Sequence, residues 1–341
     1  MITADALRAS PLSDGPDFQL AGLSRTVQSD LERVEEQLDA WSRSANPLTA
    51  EVSRYVLRKR GKRLRPSLVL LVSRLFEADR NEAVFLASIV ELLHTASLIH
   101  DDIVDNADTR RGVDSVHTRW GANVTVLLGD YLYIKSIGLS LDSLRGQVIR
   151  ILADVSARMI EGELGECAVS GDLEISEGQY IEILENKTAA LFSACCRIGA
   201  LLGGAAPDEE KDLGEYGRLI GLCFQIIDDL LDIVGDEAAM GKPVFSDLGE
   251  GRITLPLIRA LNGNGRRHSH RIAGLLQRKD LSRDERAWLR EALSSDGAIA
   301  YTQAKAQEYA DRAVSFLERF PKSDARDALT LVPQFFLSRD R

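Results

Sequence analysis

The sequence predicts an all-α fold. Apolar residues recur at helical spacing along nearly the whole chain, and β-branched alternation is scarce. Only nine prolines interrupt 341 residues. Two central segments are apolar almost all round, so they read as buried helices ringed by others, a helical bundle. Residues 21–341 form one predicted domain, with no stretch composed like an interdomain linker. Residues 1–20 read as a flexible arm. They have no apolar core of the kind a signal peptide carries.

Each element follows from its local pattern. Segment 24–42 alternates charge and apolar residues as an amphipathic helix. Segments 83–104 and 121–140 are the two apolar helices. Helical periodicity then covers 145–169, 177–203, 212–235, 253–262 and 283–319. Breaks fall at Gly61, at Gly112, around Gly171, and through 203–208, 241–251 and 262–268.

Composition narrows the function. With 42 basic and 52 acidic residues the net charge is −10, which argues against a nucleic-acid binder. Any anionic ligand therefore needs a locally built positive site. Cys167, Cys195, Cys196 and Cys223 lack metal-ligand spacing, and a reducing cytoplasm is the simplest reading. No apolar run reaches about 18 residues without a charge, so no membrane-spanning helix or stable membrane insertion is expected.

The chemistry concentrates in two acidic triplets. Asp101 and Asp105 are four residues apart, so they share one helix face one turn apart. Like charges at this spacing destabilise a helix, and the preceding apolar run makes the repulsion worse. A divalent cation would compensate, and hard carboxylate oxygens suit Mg²⁺. A solvated acidic face, or pairing with Arg110 and Arg111, is the alternative. Asp228, Asp229 and Asp232 repeat the pattern on a second apolar helix. LLHTASLIHDDIVD (92–105) and LIGLCFQIIDDLLD (219–232) echo one another. If the two helices face each other, carboxylates line both walls of a cleft. Mg²⁺ ions could then hold a diphosphate between them. Without metal such a cleft repels a diphosphate, so activity is expected to require Mg²⁺.

Basic groups flank these motifs. GKRLRP (61–66) supplies Lys62, Arg63 and Arg65. Arg110 and Arg111 follow the first triplet, Lys187 and Thr188 precede an apolar helix, and Lys242 lies in a Gly-rich stretch. Arg recognises phosphate oxygens bidentately, and Lys supplies a point charge. Any one of these alone also reads as ordinary surface. His94 sits two turns before Asp101 and Gln225 one turn before Asp228, either as site groups or as satisfied core polar residues. His100 reads as structural.

With these motifs in view, the chain resembles the trans-prenyl diphosphate synthases (polyprenyl synthetases) from about residue 45 to its end. The resemblance rests on GKRLRP, ELLHTASLIHDDIVDNADTRRG, GDYL, KTA at 187–189, FQIIDDLLD and GKPVFSDLGEGRITLP. It implies the all-α isoprenoid-synthase fold with a deep central cavity, as a homodimer. It implies head-to-tail (1′-4) condensation of isopentenyl diphosphate with an allylic diphosphate, with two or three Mg²⁺ ions. By position, Asp101, Asp105 and Asp228 would bind metal, with Asp232 supporting. Arg110, Lys187, Thr188, Gln225 and Lys242 would hold the allylic diphosphate. Lys62, Arg65, His94 and Arg111 would hold isopentenyl diphosphate. Arg252 stands where the family often has Lys. The family sets product length with bulky residues four or five positions before the first Asp. Here these are Ser97 and Ala96, both small, which implies a medium or long product. Ile134 and Gly138 are expected to line the same tunnel. A short-chain synthase, a class I terpene cyclase and a non-catalytic partner subunit are the competing readings. The cyclase would not need Lys62, Arg65 and Arg111, and the subunit should have lost motif residues.

Overall fold

Helices form almost everywhere in the computed structural model, which describes residues 16–58, 61–110, 112–141, 146–235, 244–262, 267–278 and 281–339, with side chains from residue 25. The chain runs α1 (Pro16–Trp41), α2 (Pro47–Leu57), α3 (Leu64–Leu75) and α4 (Arg80–Val104). A two-stranded antiparallel hairpin follows, β1 (Thr109–Arg110) and β2 (Val113–Asp114). Then come α5 (Val116–Trp120), α6 (Ala122–Leu141), α7 (Gly146–Ala168) and α8 (Glu177–Leu184). A π-helical turn over Glu185–Ala189 joins α8 to α9 (Ala190–Leu202), followed by α10 (Pro207–Val234). The last third holds α11 (Ser246–Gly249), α12 (Leu255–Asn262), α13 (Ser269–Leu276), α14 (Arg283–Ser295), α15 (Ala298–Leu317) and α16 (Asp324–Leu337).

The core explains how the acidic motifs are placed. α4 starts at an Asp79 cap, whose carboxylate accepts from the N–H groups of Asn81 and Glu82. It then buries Leu86, Ile89, Leu92, Leu93 and Ala96 completely or nearly so. Each large apolar side chain contributes roughly 1.5–3 kcal/mol, enough to fix the helix despite the carboxylates at its end. α10 buries Leu219, Ile220, Leu222, Ile226 and Ile233 before and around its own acidic residues. α3, α9, α10 and α15 pack in sequence beside one another, and α6 lies along α4. α10 approaches the π turn at the start of α9 closely because Gly221 faces Ala189. A Cβ at 221 would sit 2.7 Å from the Ala189 Cα.

Several sequence expectations shift. Helical backbone begins at Pro16, inside the stretch read as an arm. The single helix expected over 283–319 is two, because Gly297 takes φ 74° and caps α15. α2, α13 and α16 were not anticipated, nor was the hairpin. α4 and α6 carry ionisable residues, yet both are long and apolar enough to cross a membrane by length and composition. In α4 that apolar window is 72% buried, as in a core helix; in α6 it is only 33% buried. Leu127, Ile134 and Leu141 recur every seven residues on α6 and are 68%, 72% and 58% exposed. Ile134 therefore faces outward, away from the α4 side, and a Cβ on Gly138 would meet only open space. The tunnel-lining expectation for this pair is corrected accordingly.

Candidate active site

The C-terminal turn of α4 carries Asp101 and Asp105, and the end of α10 carries Gln225, Asp228 and Asp229. All five line one cleft of about 240 Å³. Arg110 from β1, Glu166 from α7 and Lys187 from the π turn join them, with Asp247 and Arg252 from the strap after α10. Leu98, Val169, Ile175, Ile183 and Leu184 give the cleft an apolar side. The two acidic motifs thus share one cavity, the condition under which carboxylates line both walls of a cleft.

The middle residue of each triplet has a different task from the outer ones. Asp102 is buried and ion-paired with Arg110 Nε, which fixes the hairpin arginine at the rim. Asp229 accepts from the Tyr180 hydroxyl (2.7 Å) and from Gln225 Nε2 (2.8 Å). Gln225 Oε1 in turn accepts from Thr188 Oγ1 at 2.9 Å. This chain of bonds orients Gln225 and Thr188 relative to one another. Burial, then the charge of Asp247, pushes the Asp229 carboxyl upward. Burial, then Glu163, pushes Asp101 up to about 7. A cation bound there would reverse that shift.

Asp232 departs from its expected role. It is not among the cleft-lining residues; its carboxylate accepts from Ser246 Oγ (2.5 Å) and from the Asp247 N–H (3.1 Å). It anchors the strap that brings Asp247 and Arg252 to the cleft.

Lys187 and Thr188 lie in the π turn, whose extra residue re-aims side chains and often marks functional positions. Gly162 of α7 makes room for it: a Cβ there would stand 2.5 Å from the Lys187 N. Lys187 Nζ contacts Glu163 at 2.8 Å and Glu166 at 2.5 Å. Burial works against its charge, but the two glutamates outweigh burial and hold the ammonium above its ordinary range. Arg252 bridges Asp105 (3.0 Å) and Asp247 (2.9 Å) and also touches Glu250. The cleft therefore presents six carboxylates and three cations. It is acidic, as the sequence implied, but its cations are already paired, Lys187 and Arg252 with acids of the cleft and Arg110 with the buried Asp102. Glu163, Glu166, Asp247 and Tyr180 were not among the predicted site residues, whereas Arg252 was expected to contact diphosphate as the counterpart of a family Lys. The Glu163–Glu166 spacing on α7 was the available signal.

A second cationic group lies beside the cleft. Arg65 meets His94 Nε2 at 3.0 Å and stacks over Phe192, 4.9 Å from its centroid. Lys62 lies 5.6 Å from the Phe335 centroid. Phe192, Phe224 and Phe336 are in mutual ring contact, and Phe335 meets Phe336 edge-on. At the far side of this aromatic cluster, Arg339 covers Phe224 and donates to Asp228 Oδ1 at 3.0 Å. The cluster thus connects the GKRLRP cations to the second acidic wall. Of the remaining expected residues, Arg111 and Lys242 lie outside the described residues. Ala96 is fully buried and Ser97 partly exposed; the neighbour that lines the cleft is Leu98.

Among the described residues no three acidic, His or Cys groups converge into a ready-made metal cage. Mg²⁺ binds through one or two carboxylates and completes its shell with water and phosphate oxygens. Asp101 and Asp105 on one wall and Asp228 on the other supply such oxygens, with no soft ligand in the lining.

Comparison with known proteins agrees with this architecture. The family model "Polyprenyl synthetase" matches residues 46–293. A short chain isoprenyl diphosphate synthase of Methanothermobacter thermautotrophicus is 36% identical over 325 residues, covering 92% of this chain and 99% of that protein. The octaprenyl diphosphate synthase of Escherichia coli is 34% identical over 326 residues, covering 95% and 100%. A Caulobacter crescentus polyprenyl synthase, solved with calcium and isoprenyl diphosphate, superposes with a TM-score of 0.89 at 33% identity, covering 97% and 100%. The all-α fold, the shared acidic cleft and these likenesses agree: the chain is a prenyltransferase of the polyprenyl synthetase family.

Proposed function

We propose that the protein catalyses Mg²⁺-dependent head-to-tail (1′-4) condensation of isopentenyl diphosphate with an allylic diphosphate, giving a trans-polyprenyl diphosphate of medium or long chain. The observation that carries this reading is the single cavity shared by Asp101, Asp105, Arg110, Lys187, Gln225 and Asp228. Asp101, Asp105 and Asp228 would hold the metal. Bound Mg²⁺ neutralises diphosphate charge and stabilises it as a leaving group.

The chain's own groups do the rest. Arg110, Lys187 and Lys242 hold the allylic diphosphate, and Gln225 and Thr188 orient it. As the allylic C–O bond breaks, negative charge grows on the departing diphosphate, beside the cleft cations Arg110 and Lys187. Leu98, Ile183 and Leu184 present an apolar wall to the allylic cation and exclude water. Lys62, Arg65, His94 and Arg111 hold isopentenyl diphosphate, whose double bond attacks the allylic carbon. The proton lost from the adjacent carbon passes to the released diphosphate, so the site needs no dedicated side-chain base.

Small residues at 96 and 97 support a longer product, and Ser97 shares the Asp101 helix face. Chromatography of products made from isopentenyl diphosphate with allylic primers tests both points. The wild type is expected to give a medium or long chain, and Ser97→Tyr a product shortened by several isoprene units with condensation retained. An unchanged spectrum would refute this placement of the growing chain. Failure to consume isopentenyl diphosphate would favour a cyclase.

The heptad stripe Leu127, Ile134, Leu141 and the nearby exposed Ile160 and Leu164 support a homodimer. A self-complementary apolar face suits a two-fold interface. Sedimentation should return twice the chain mass for the wild type and a monomer for Leu127→Asp/Ile134→Asp; a monomeric wild type refutes the interface. All four cysteines are free thiols, which supports a reducing compartment, the cytoplasm.

A further inference from the structure

GKRLRP carries three cations, and they do not behave alike. Lys62 and Arg65 lie over the aromatic cluster described above. Arg63, between them, turns inward and is only 8% exposed. Its guanidinium makes a fork to Glu35 of α1, with Nε to Oε1 at 2.5 Å and Nη2 to Oε2 at 3.1 Å. Nη1 donates to Glu91 of α4, and Nη2 also reaches the Leu57 carbonyl at the end of α2, at 3.4 Å. One side chain therefore ties three helices to the start of α3.

The backbone at this point is unusual. Arg63 is the N-cap of α3 and has φ 49° and ψ 35°, the left-handed region. A residue with a Cβ is uncommon there, and Arg lacks the short acceptor that favours the N-cap position. No side chain caps the helix. Instead the Arg63 carbonyl accepts from the Ser67 N–H (3.0 Å) and the Ser67 hydroxyl (2.8 Å), so the turn is locked into the first turn of α3. A conformation the residue does not favour persists here because its side chain is over-determined by buried partners.

Resting on the function proposed above, we propose that Arg63 is a positioning residue for the isopentenyl diphosphate site. Clamped by Glu35 and Glu91, it holds the left-handed turn that sets Lys62 and Arg65 on the aromatic cluster, and it does not itself touch substrate. The bidentate fork is specific to Arg; Lys keeps the charge but not the geometry.

The test compares full-length wild type with Glu35→Gln, Arg63→Lys and Arg63→Gly, each substrate varied in turn, with thermal unfolding alongside. Glu35→Gln keeps a hydrogen-bonding amide and is the mildest change. Arg63→Gly keeps the left-handed turn accessible but removes the clamp. The expected result is a rise of about tenfold in KM for isopentenyl diphosphate in Glu35→Gln and more in Arg63→Gly. KM for the allylic diphosphate should stay within about twofold. Arg63→Lys should fall between wild type and Arg63→Gly. A lower melting temperature with both KM values unchanged would overturn the proposal, as would an equal rise in both. If Arg63→Gly does not fold, Glu35→Gln decides. A wild type that never consumes isopentenyl diphosphate would instead sink the functional reading, and this inference with it.

Discussion

Asp101→Ala is expected to lower kcat/KM for condensation by on the order of 10³ or more, the scale of removing a principal transition-state electrostatic contact. Asp101 is the acid of the α4 wall that no described cation neutralises by direct contact; Asp105 is already bridged by Arg252. Deleting it leaves that wall one carboxylate, and an arginine competes for it. The fold should not suffer. Burial and Glu163 already disfavour the Asp101 charge, so its loss removes a repulsive group from the end of α4. The expected pattern is an unchanged or slightly raised melting temperature with activity nearly gone. Steady-state kinetics at saturating Mg²⁺, with circular dichroism on the same sample, reads both. Activity within tenfold of wild type would show that α4 does not supply the metal wall.

Lys187→Ala is expected to remove about 10²-fold or more of kcat and to destabilise the fold as well. The ammonium holds Glu163 and Glu166 at the cleft wall, and both acids are about one-fifth exposed. Without Lys187 the two carboxylates face each other and Asp101, offset among the described residues only by the longer 4.0 Å contact from Arg252 to Glu166. Breaking a fully buried pair costs about 3–5 kcal/mol. Partial exposure brings the expectation here to about 1–3 kcal/mol. The triple variant Lys187→Met/Glu163→Gln/Glu166→Gln separates the two effects. It removes the unpaired charges, so urea unfolding should recover most of the stability. The allylic diphosphate still lacks its cation, so kcat should stay low. Recovery of activity in the triple variant would mean that Lys187 only balances the glutamates.

The parts legible from sequence were those written in local pattern. DDIVD and DDLLD each end an apolar helix, and that periodicity put Asp101 with Asp105, and Asp228 with Asp232, on one face of its own helix; that the two faces meet across one cleft came only from the family resemblance. KTA and FQ were legible as neighbours of those walls. What escaped depends on tertiary contact. The π turn at Glu185–Ala189 leaves no compositional mark, because it exists to fit Lys187 against Gly162 of another helix. Asp232 looks like its counterpart Asp105, yet the strap folding back over 245–247 turns it into an anchor. Arg252 lies far in sequence from Asp105 and meets it only after the chain has crossed the bundle. The Gly297 break inside an otherwise continuous helical pattern shows the same limit. A single left-handed residue ends a helix whose periodicity runs on past it.

The two acidic walls matter only if divalent ions join them through the substrate. Calorimetric titration of an unreactive allylic thiodiphosphate analogue measures this directly, in wild type and in Asp101→Ala, with Mg²⁺ and with chelator. The account predicts binding by the wild type with Mg²⁺ and loss of most of that affinity under chelation or in the variant. Equal affinity with and without the metal would contradict it.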